Sequence, residues 1–376
     1  MRALAALLLT LVLAACSQQA AAPLNPPTFI AEGNPPLLSD WGMVRASQRR
    51  LVLGEGVTPY DLNTPLFTDY AQKLRTIWMP TGQSAAYTSN DVFDFPIGTV
   101  ITKTFFYQRG AGDRVLQVAD QTRIHDESGR IDLRHVRLVE TRVLVRRDTG
   151  WVALTYVWNE DQTEAALRRT GAVLPLELVR ADGDVEPFRY VVPNVTQCAA
   201  CHAPNVATRE IRPIGPKARH LNRDYVYDGV ALNQLEHLTS IGYLRGFESA
   251  ERSPRNAVWT DASASLEARA RAYLDANCSH CHNRDGPADT SGLYLDPGTP
   301  ISGNFGICKL PVAAGSGTGN RRFDIVPGDP DASVMPYRMA STDPAVMMPE
   351  IGRSTAHNEG VELIRQWIAS REGSCR

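Results

Sequence analysis

No run of apolar residues in this chain is long enough to cross a bilayer. The longest, Ala3 to Ala15 with only Thr10 interrupting it, has 13 residues, against the roughly 18 to 20 that a spanning helix needs. Charge of one sign is also missing: 39 Lys plus Arg face 41 Asp plus Glu, a net of -2. Nothing is left over to neutralise a row of phosphates, which argues against nucleic acid as a partner. Aromatic residues are sparse at 7%, yet 43% of the chain is apolar and only 21% charged, so it is no disordered tail. Its 376 residues suit about two domains. Cysteine is absent from 17 to 197, and methionine from 203 to 334.

What is there begins with Arg2, the short apolar stretch and the sequence Leu13-Ala14-Ala15-Cys16. A charged start, a short apolar segment and small residues at a cut point read as an export signal. The cysteine at the cut makes it similar to a bacterial lipoprotein signal, with Cys16 lipidated as the first mature residue. A Gln/Ala/Pro-rich stretch from Gln18 to Pro36 follows as a tether. The expected location is the periplasm, with membrane attachment by the lipid anchor only.

Seven cysteines are present, and four fall into two copies of one pattern: Cys198-Ala199-Ala200-Cys201-His202 and Cys278-Ser279-His280-Cys281-His282. This is the attachment signature of a c-type haem. Two thiols three positions apart at a helix start both reach the vinyl groups on one edge of a porphyrin, and the following histidine then lies under the iron. A redox dithiol needs no histidine there. A zinc site using both pairs leaves two histidines unexplained. The expectation is two covalently attached haem c groups, with His202 and His282 as proximal metal ligands. Setting Cys16 aside leaves Cys308 and Cys375, a pair that becomes a disulfide in an oxidising compartment unless both remain as free thiols.

From about Asp40 to Val192 the sequence carries β signals. Val92 to Phe95 and Gly98 to Tyr107 are rich in β-branched and aromatic residues, and a hairpin reads from Val136 to Arg147 and Trp151 to Trp158 about Asp148-Thr149-Gly150. The histidines of this half, His125 and His135, read as ordinary surface or core residues rather than ligands. Past Val192 short helices and Pro/Gly loops take over. Leu266, Ala270, Tyr273 and Leu274 mark an amphipathic helix leading into Cys278, and Val361, Ile364, Trp367 and Ile368 mark a closing helix. Asp329-Pro330 reads as the start of a short helix running to about Met339.

The second haem needs a sixth ligand. Met335, Met339, Met347 and Met348 share one window, and a thioether raises the potential of a His-ligated haem. Met348, followed by Pro349 in a loop before the closing helix, is the preferred candidate. The first haem has no methionine in its own segment. Its candidates are His220, His237, Met43, Met79 or an open position.

Residues 261 to 376, with the helix into CSHCH, the PGDP turn, the Met348-Pro349 loop and the closing LIRQWI helix, resemble a class I cytochrome c domain. The mature chain also resembles a family of bacterial diheme c-type cytochrome lipoproteins through NTPLF (Asn63 to Phe67), FPIGT (Phe95 to Thr99), IGPK (Ile214 to Lys217) and LNRD (Leu221 to Asp224). The resemblance implies electron transfer with no settled donor or acceptor. The expected organisation is a signal peptide at 1–16 and a flexible tether at 17–39. An all-β domain at 40–195, sandwich or barrel-like, comes next. A mostly α cytochrome c-type haem region follows, made of a first haem-binding segment at 196–260 and a class I cytochrome c-like domain at 261–376. The expected function is an exported electron carrier serving an unknown redox partner protein. The alternatives are a diheme peroxidase-like oxidoreductase with an open site at the first haem, and a cytochrome fused to a ligand-binding β module.

Overall fold

A computed structural model describes residues 26–119, 126, 130–312 and 314–376. Cys16, the signal peptide and His125 lie outside these residues. Strand outweighs helix, 28% to 20%, and the strands gather in the first half. They are β1 (Val44–Ser47), β2 (Arg50–Leu53), β3 (Thr58–Tyr60), β4 (Gln72–Trp78), β5 (Ala85–Ala86), β6 (Val100–Arg109), β7 (Val115–Leu116), β8 (Ile131–Asp132), β9 (Val136–Arg147), β10 (Gly150–Trp158), β11 (Ala165–Leu167), β12 (Ala172–Val179) and β13 (Val185–Val192). Later come β14 (Asp224–Tyr227), β15 (Val230–Asn233) and β16 (Leu244–Arg245), with helices α1 (Val195–His202), α2 (Ala218–Leu221), α3 (Gln234–Ser240), α4 (Leu266–Asn277), α5 (Val334–Ala340) and α6 (Asn358–Ala369).

The large sheet runs in the order β11-β10-β9-β6-β7-β12-β13, with β4 beside β6 and β3 beside β4. The hairpin of β9 and β10 turns at Asp148-Thr149, since Arg147 pairs with Gly150, and Gly150 takes φ 120° there, a conformation that suits glycine alone. Val92 to Phe95 forms no strand; Val92 and Asp94 make isolated bridges to Lys217 and Ala86.

Alternation along the central strands gives the sheet two unlike faces. One face carries Leu74, Val100, Phe106, Val143 and Val145 into a core capped by Leu38, Trp41, Met43 and Leu51. The end of the expected tether belongs to this core: Leu38 is fully buried, and Phe29 and Ile30 pack against it, so residues 29, 30 and 38 are fixed by apolar burial. Threonines on this face bond to one another, Thr104 Oγ1 lying 2.8 Å from Thr141 Oγ1. The other face is apolar at its two ends. Ile77 and Ile101 join Ala218, Leu221, Leu235 and Leu238, while Phe105 and Tyr107 join Leu176, Phe188 and Tyr190. The middle of that face is charged.

Beyond 196 the expected short helices are interspersed with three short strands and irregular loops, so the mostly α character expected of this region is not shown. α2 has 4 residues and α3 has 7, and long irregular segments join α4, α5 and α6. α4 opens on Ser265, whose side chain accepts from the Ala268 amide. It packs against α6 at Gly360, where a Cβ would collide with the Tyr273 ring and hydroxyl. The helix expected from Asp329-Pro330 begins only at Val334. Asp329 instead accepts from the Asp331 and Ala332 amides, closing an Asx turn that uses the side chain before a helix can. Cys308 and Cys375 are bonded, with Cα atoms 5.2 Å apart, which fastens the C-terminal tail beside Ile325. No helix among the described residues is long and apolar enough to cross a membrane.

Candidate functional site

α1 starts on a reciprocal cap: Asn194 Oδ1 accepts from the Gln197 amide at 2.9 Å and Gln197 Oε1 accepts from the Asn194 amide at 3.0 Å. This fixes Cys198, Cys201 and His202 on one short helix packed against β10. The Cys198 thiol is buried, faces Thr155 and Arg142, and is pushed up by burial. His202 Nδ1 donates to the Arg212 carbonyl at 2.9 Å, leaving Nε2 as the nitrogen with a free lone pair. Burial, with Lys103 nearby, brings its pKa down to about 4, so the ring is neutral at pH 7. Neutral imidazole with one nitrogen tied to a carbonyl is the state in which histidine binds metals.

The second motif follows α4 directly. Asp275, one turn before Cys278, anchors it. Its carboxylate accepts from Arg219 at 2.7 and 2.9 Å, His220 Nε2 at 2.8 Å, Asn256 at 2.7 Å and Ser279 at 2.9 Å. Burial raises the carboxyl, but the bonds from His220 and Arg219 overcome it and hold it well below its ordinary range. His282 resembles His202: burial brings it down to about 4, and its ring faces the Leu293 carbonyl and, at 3.5 Å, Ser291 Oγ.

A cleft of about 650 Å³, counting its open mouth, is lined by Cys278, His282 and Met348 together with Leu274, Leu293 and Leu295. Met335 and Met339 also line it, whereas Met347 is not among its lining residues. The Met348 loop is pinned from both sides, its amide donating to the Arg338 carbonyl and its carbonyl accepting from Arg353, each at 3.0 Å.

The two motifs, 80 residues apart in sequence, meet in space. Cys201, His280 and Cys281 bring their sulfur and nitrogen atoms within 4.8 Å of one another. A hydrogen bond from the Cys281 thiol draws Cys201 below the ordinary thiol range, and the same contact drives Cys281 up. His280 Nδ1 is buried without a hydrogen-bond partner. This cluster is chemically able to hold a metal ion through two sulfurs and a nitrogen. Sequence reading passed over His280; its place inside Cys278-Ser279-His280-Cys281 was the available signal.

The residues expected as alternative ligands of a first haem are engaged elsewhere. His220 is buried with Nε2 on Asp275, so it serves the anchor of α4. His237 stacks on Tyr227 with centroids 3.5 Å apart. Met43 and Met79 lie in the apolar cores on opposite faces of the sheet. His135 is exposed. Comparisons with protein-family models, curated proteins and solved structures give no match to this chain.

Proposed function

We propose that the chain is an exported diheme c-type cytochrome that passes electrons to or from a periplasmic or membrane-bound redox partner. Cys198 and Cys201 would hold one haem with His202 beneath it, and Cys278 and Cys281 the other with His282 beneath it. The observation that carries the reading is the cleft on which Cys278, His282 and Met348 converge among leucines. Its wall is mainly apolar with a few polar groups, the composition of a cofactor site. His202 has Nδ1 occupied by a backbone carbonyl and His282 has Nδ1 faced by the Ser291 hydroxyl, which suits ligation through Nε2.

When bound, haem supplies one-electron redox chemistry. The chain's own residues do the rest. Leu274 of α4 and Val334, Met335 and Met339 of α5 wall the cleft, Asp275 holds the attachment segment in register, and the Arg338 and Arg353 contacts hold the Met348 loop in place. The meeting of Cys201 with Cys281 favours a closely coupled haem pair. Residues 261–376 are proposed as a class I cytochrome c-like domain, the haem filling the core that short helices leave thin. Cys16 is proposed as the lipid anchor.

A second reading rests on the Cys201, His280 and Cys281 cluster: an ion site instead of two thioether-bound haems. The test is the chain matured with haem-ligation machinery and extracted with acid and acetone. Two haem masses retained on the polypeptide support the cytochrome. Haem lost to the solvent, with one equivalent of zinc retained by the protein but lost from Cys281→Ser, supports the ion site and overturns the first reading.

A further inference from the structure

The charged middle of the large sheet has no role in attaching the second haem, yet it lies directly under the first motif. Across four strands the register aligns Arg75 on β4 with Lys103 on β6, Lys103 with Arg142 on β9, and Arg142 with Thr155 on β10. The row starts beside the attachment site, since Cys198 faces Thr155 and Arg142, and at strand spacing it extends ~14 Å across the sheet to Arg75. Lys73 joins from the next position: Lys73 Nζ, Lys103 Nζ and Arg142 Cζ stand 5.7, 5.3 and 4.4 Å from the centre of the Phe105 ring.

Like charges on directly opposed strands repel. The neighbouring carboxylates only partly offset them. Asp61 bonds Arg75 at 3.0 Å but is shared with Arg223 at 3.7 Å, and Glu140 is taken by Arg142 at 3.0 Å and by Tyr190 at 2.7 Å. Among the described residues no carboxylate lies within ion-pair distance of Lys103. Burial, with Arg142 and Arg75 beside it, drives its ammonium well below the ordinary lysine range. The face is largely covered but not sealed, because Lys73, Lys103, Arg142, Ala153 and Val157 all keep part of their surface exposed. A cationic row that begins at a covalent tether and runs away from it across an incompletely covered face suits a flat ligand fixed at one edge and anionic at the other.

We infer that Lys103, flanked by Arg75 and Arg142, binds the propionate carboxylates of the haem attached at Cys198 and Cys201. This rests on the diheme reading. The carboxylates would supply the negative charge that the row lacks, and the row would in turn favour the electron-rich ferrous state of that haem.

The experiment uses the full-length holoprotein and compares wild type, Lys103→Met and Lys103→Arg. Haem count by intact mass, the reduction potential of each haem, and the propionate vibrations in resonance Raman are measured. Lys103→Met is expected to keep both haems, lower the potential of the first alone and shift its propionate bands. Lys103→Arg should restore both. Lys103→Gln replaces Lys103→Met if the latter does not fold. Attached haem with unmoved potential and bands overturns the proposal. A change of spin state at the first haem on Lys103→Met also overturns it, by making the amine an iron ligand. So does a rise in thermal midpoint with inorganic phosphate that is lost in Lys103→Met, which makes the row a site for free anions. A wild-type chain with no haem on Cys198 and Cys201 overturns the diheme reading itself.

Discussion

Asp275 is the residue on which the most polar geometry converges. Its carboxylate binds Arg219, His220, Asn256 and Ser279 at once, and Arg219 and His220 are buried with it. Removing one member of such a group strands the others: Asp275→Asn leaves a buried guanidinium uncompensated and is expected to cost about 3 kcal/mol. Urea denaturation checks this, and a loss below about 0.5 kcal/mol would show that the network is dispensable. His220→Gln should likewise destabilise the chain without altering the spectrum of the first haem, because its Nε2 is already committed to the carboxylate. Methionines on the cleft separate differently. Met348→Ala should open the proposed second haem to carbon monoxide. Met335→Ala and Met339→Ala should leave its ligation intact and cost about 2 to 5 kcal/mol as core truncations, since both sit in the apolar cluster with Trp367 and Ile364. Carbon monoxide binding to Met339→Ala but not Met348→Ala would transfer the ligand role to Met339.

Elements in this chain are held mainly by contacts that skip far along the sequence, and the Cys308–Cys375 bond is the covalent example. It closes a loop over a sequence separation of 67, for which the chain-entropy model gives about 4 kcal/mol of stabilisation. Cys375→Ser should therefore lower the thermal midpoint and speed amide exchange around Ile325 while leaving both motifs loaded. Unchanged exchange there would mean that packing alone holds the tail. Elements with a strong local pattern were legible in the sequence: the hairpin of β9 and β10 is two runs rich in β-branched and aromatic residues about a turn, and α4 and α6 carry apolar residues at helical spacing. The start of α5 was misread because Asp329 spends its side chain on a turn. The row of Arg75, Lys103 and Arg142 was hidden for another reason, as these residues become neighbours only through cross-strand register. The same holds for Cys201 against His280 and Cys281, which no spacing within either motif implies. The cysteines, histidines and Met348 could be picked out because their chemistry is written in local order.

At the scale of the whole molecule, His357 shows how the two halves are joined. Phe67, in the loop between β3 and β4, stacks on its ring with centroids 4.3 Å apart. Tyr273 Oη of α4 is hydrogen-bonded with its Nδ1 at 2.9 Å, and Asp69 of the same loop accepts from the Ser354 and Thr355 amides at 2.7 and 2.8 Å. Burial, then Lys73, brings His357 down to about 3, and burial also lowers His220. An unfolded histidine takes up its proton near pH 6.5, whereas these folded rings refuse theirs, so the unfolded chain binds more protons below that pH. Stability is then complete above about pH 6.5 and falls on acidification, for His357 down to about pH 3, by up to about 1.4 kcal/mol per pH unit for each histidine. Asp69, raised by burial, opposes the trend at its acid end because it holds a proton more readily when folded. The expected result is a thermal midpoint that is flat above pH 7 and drops between pH 6.5 and 4. His357→Gln should be less stable at pH 7 but show a shallower drop, since one of the refused protons is gone. An equal slope in wild type and His357→Gln would remove His357 from the acid sensitivity and leave the junction between the halves indifferent to pH.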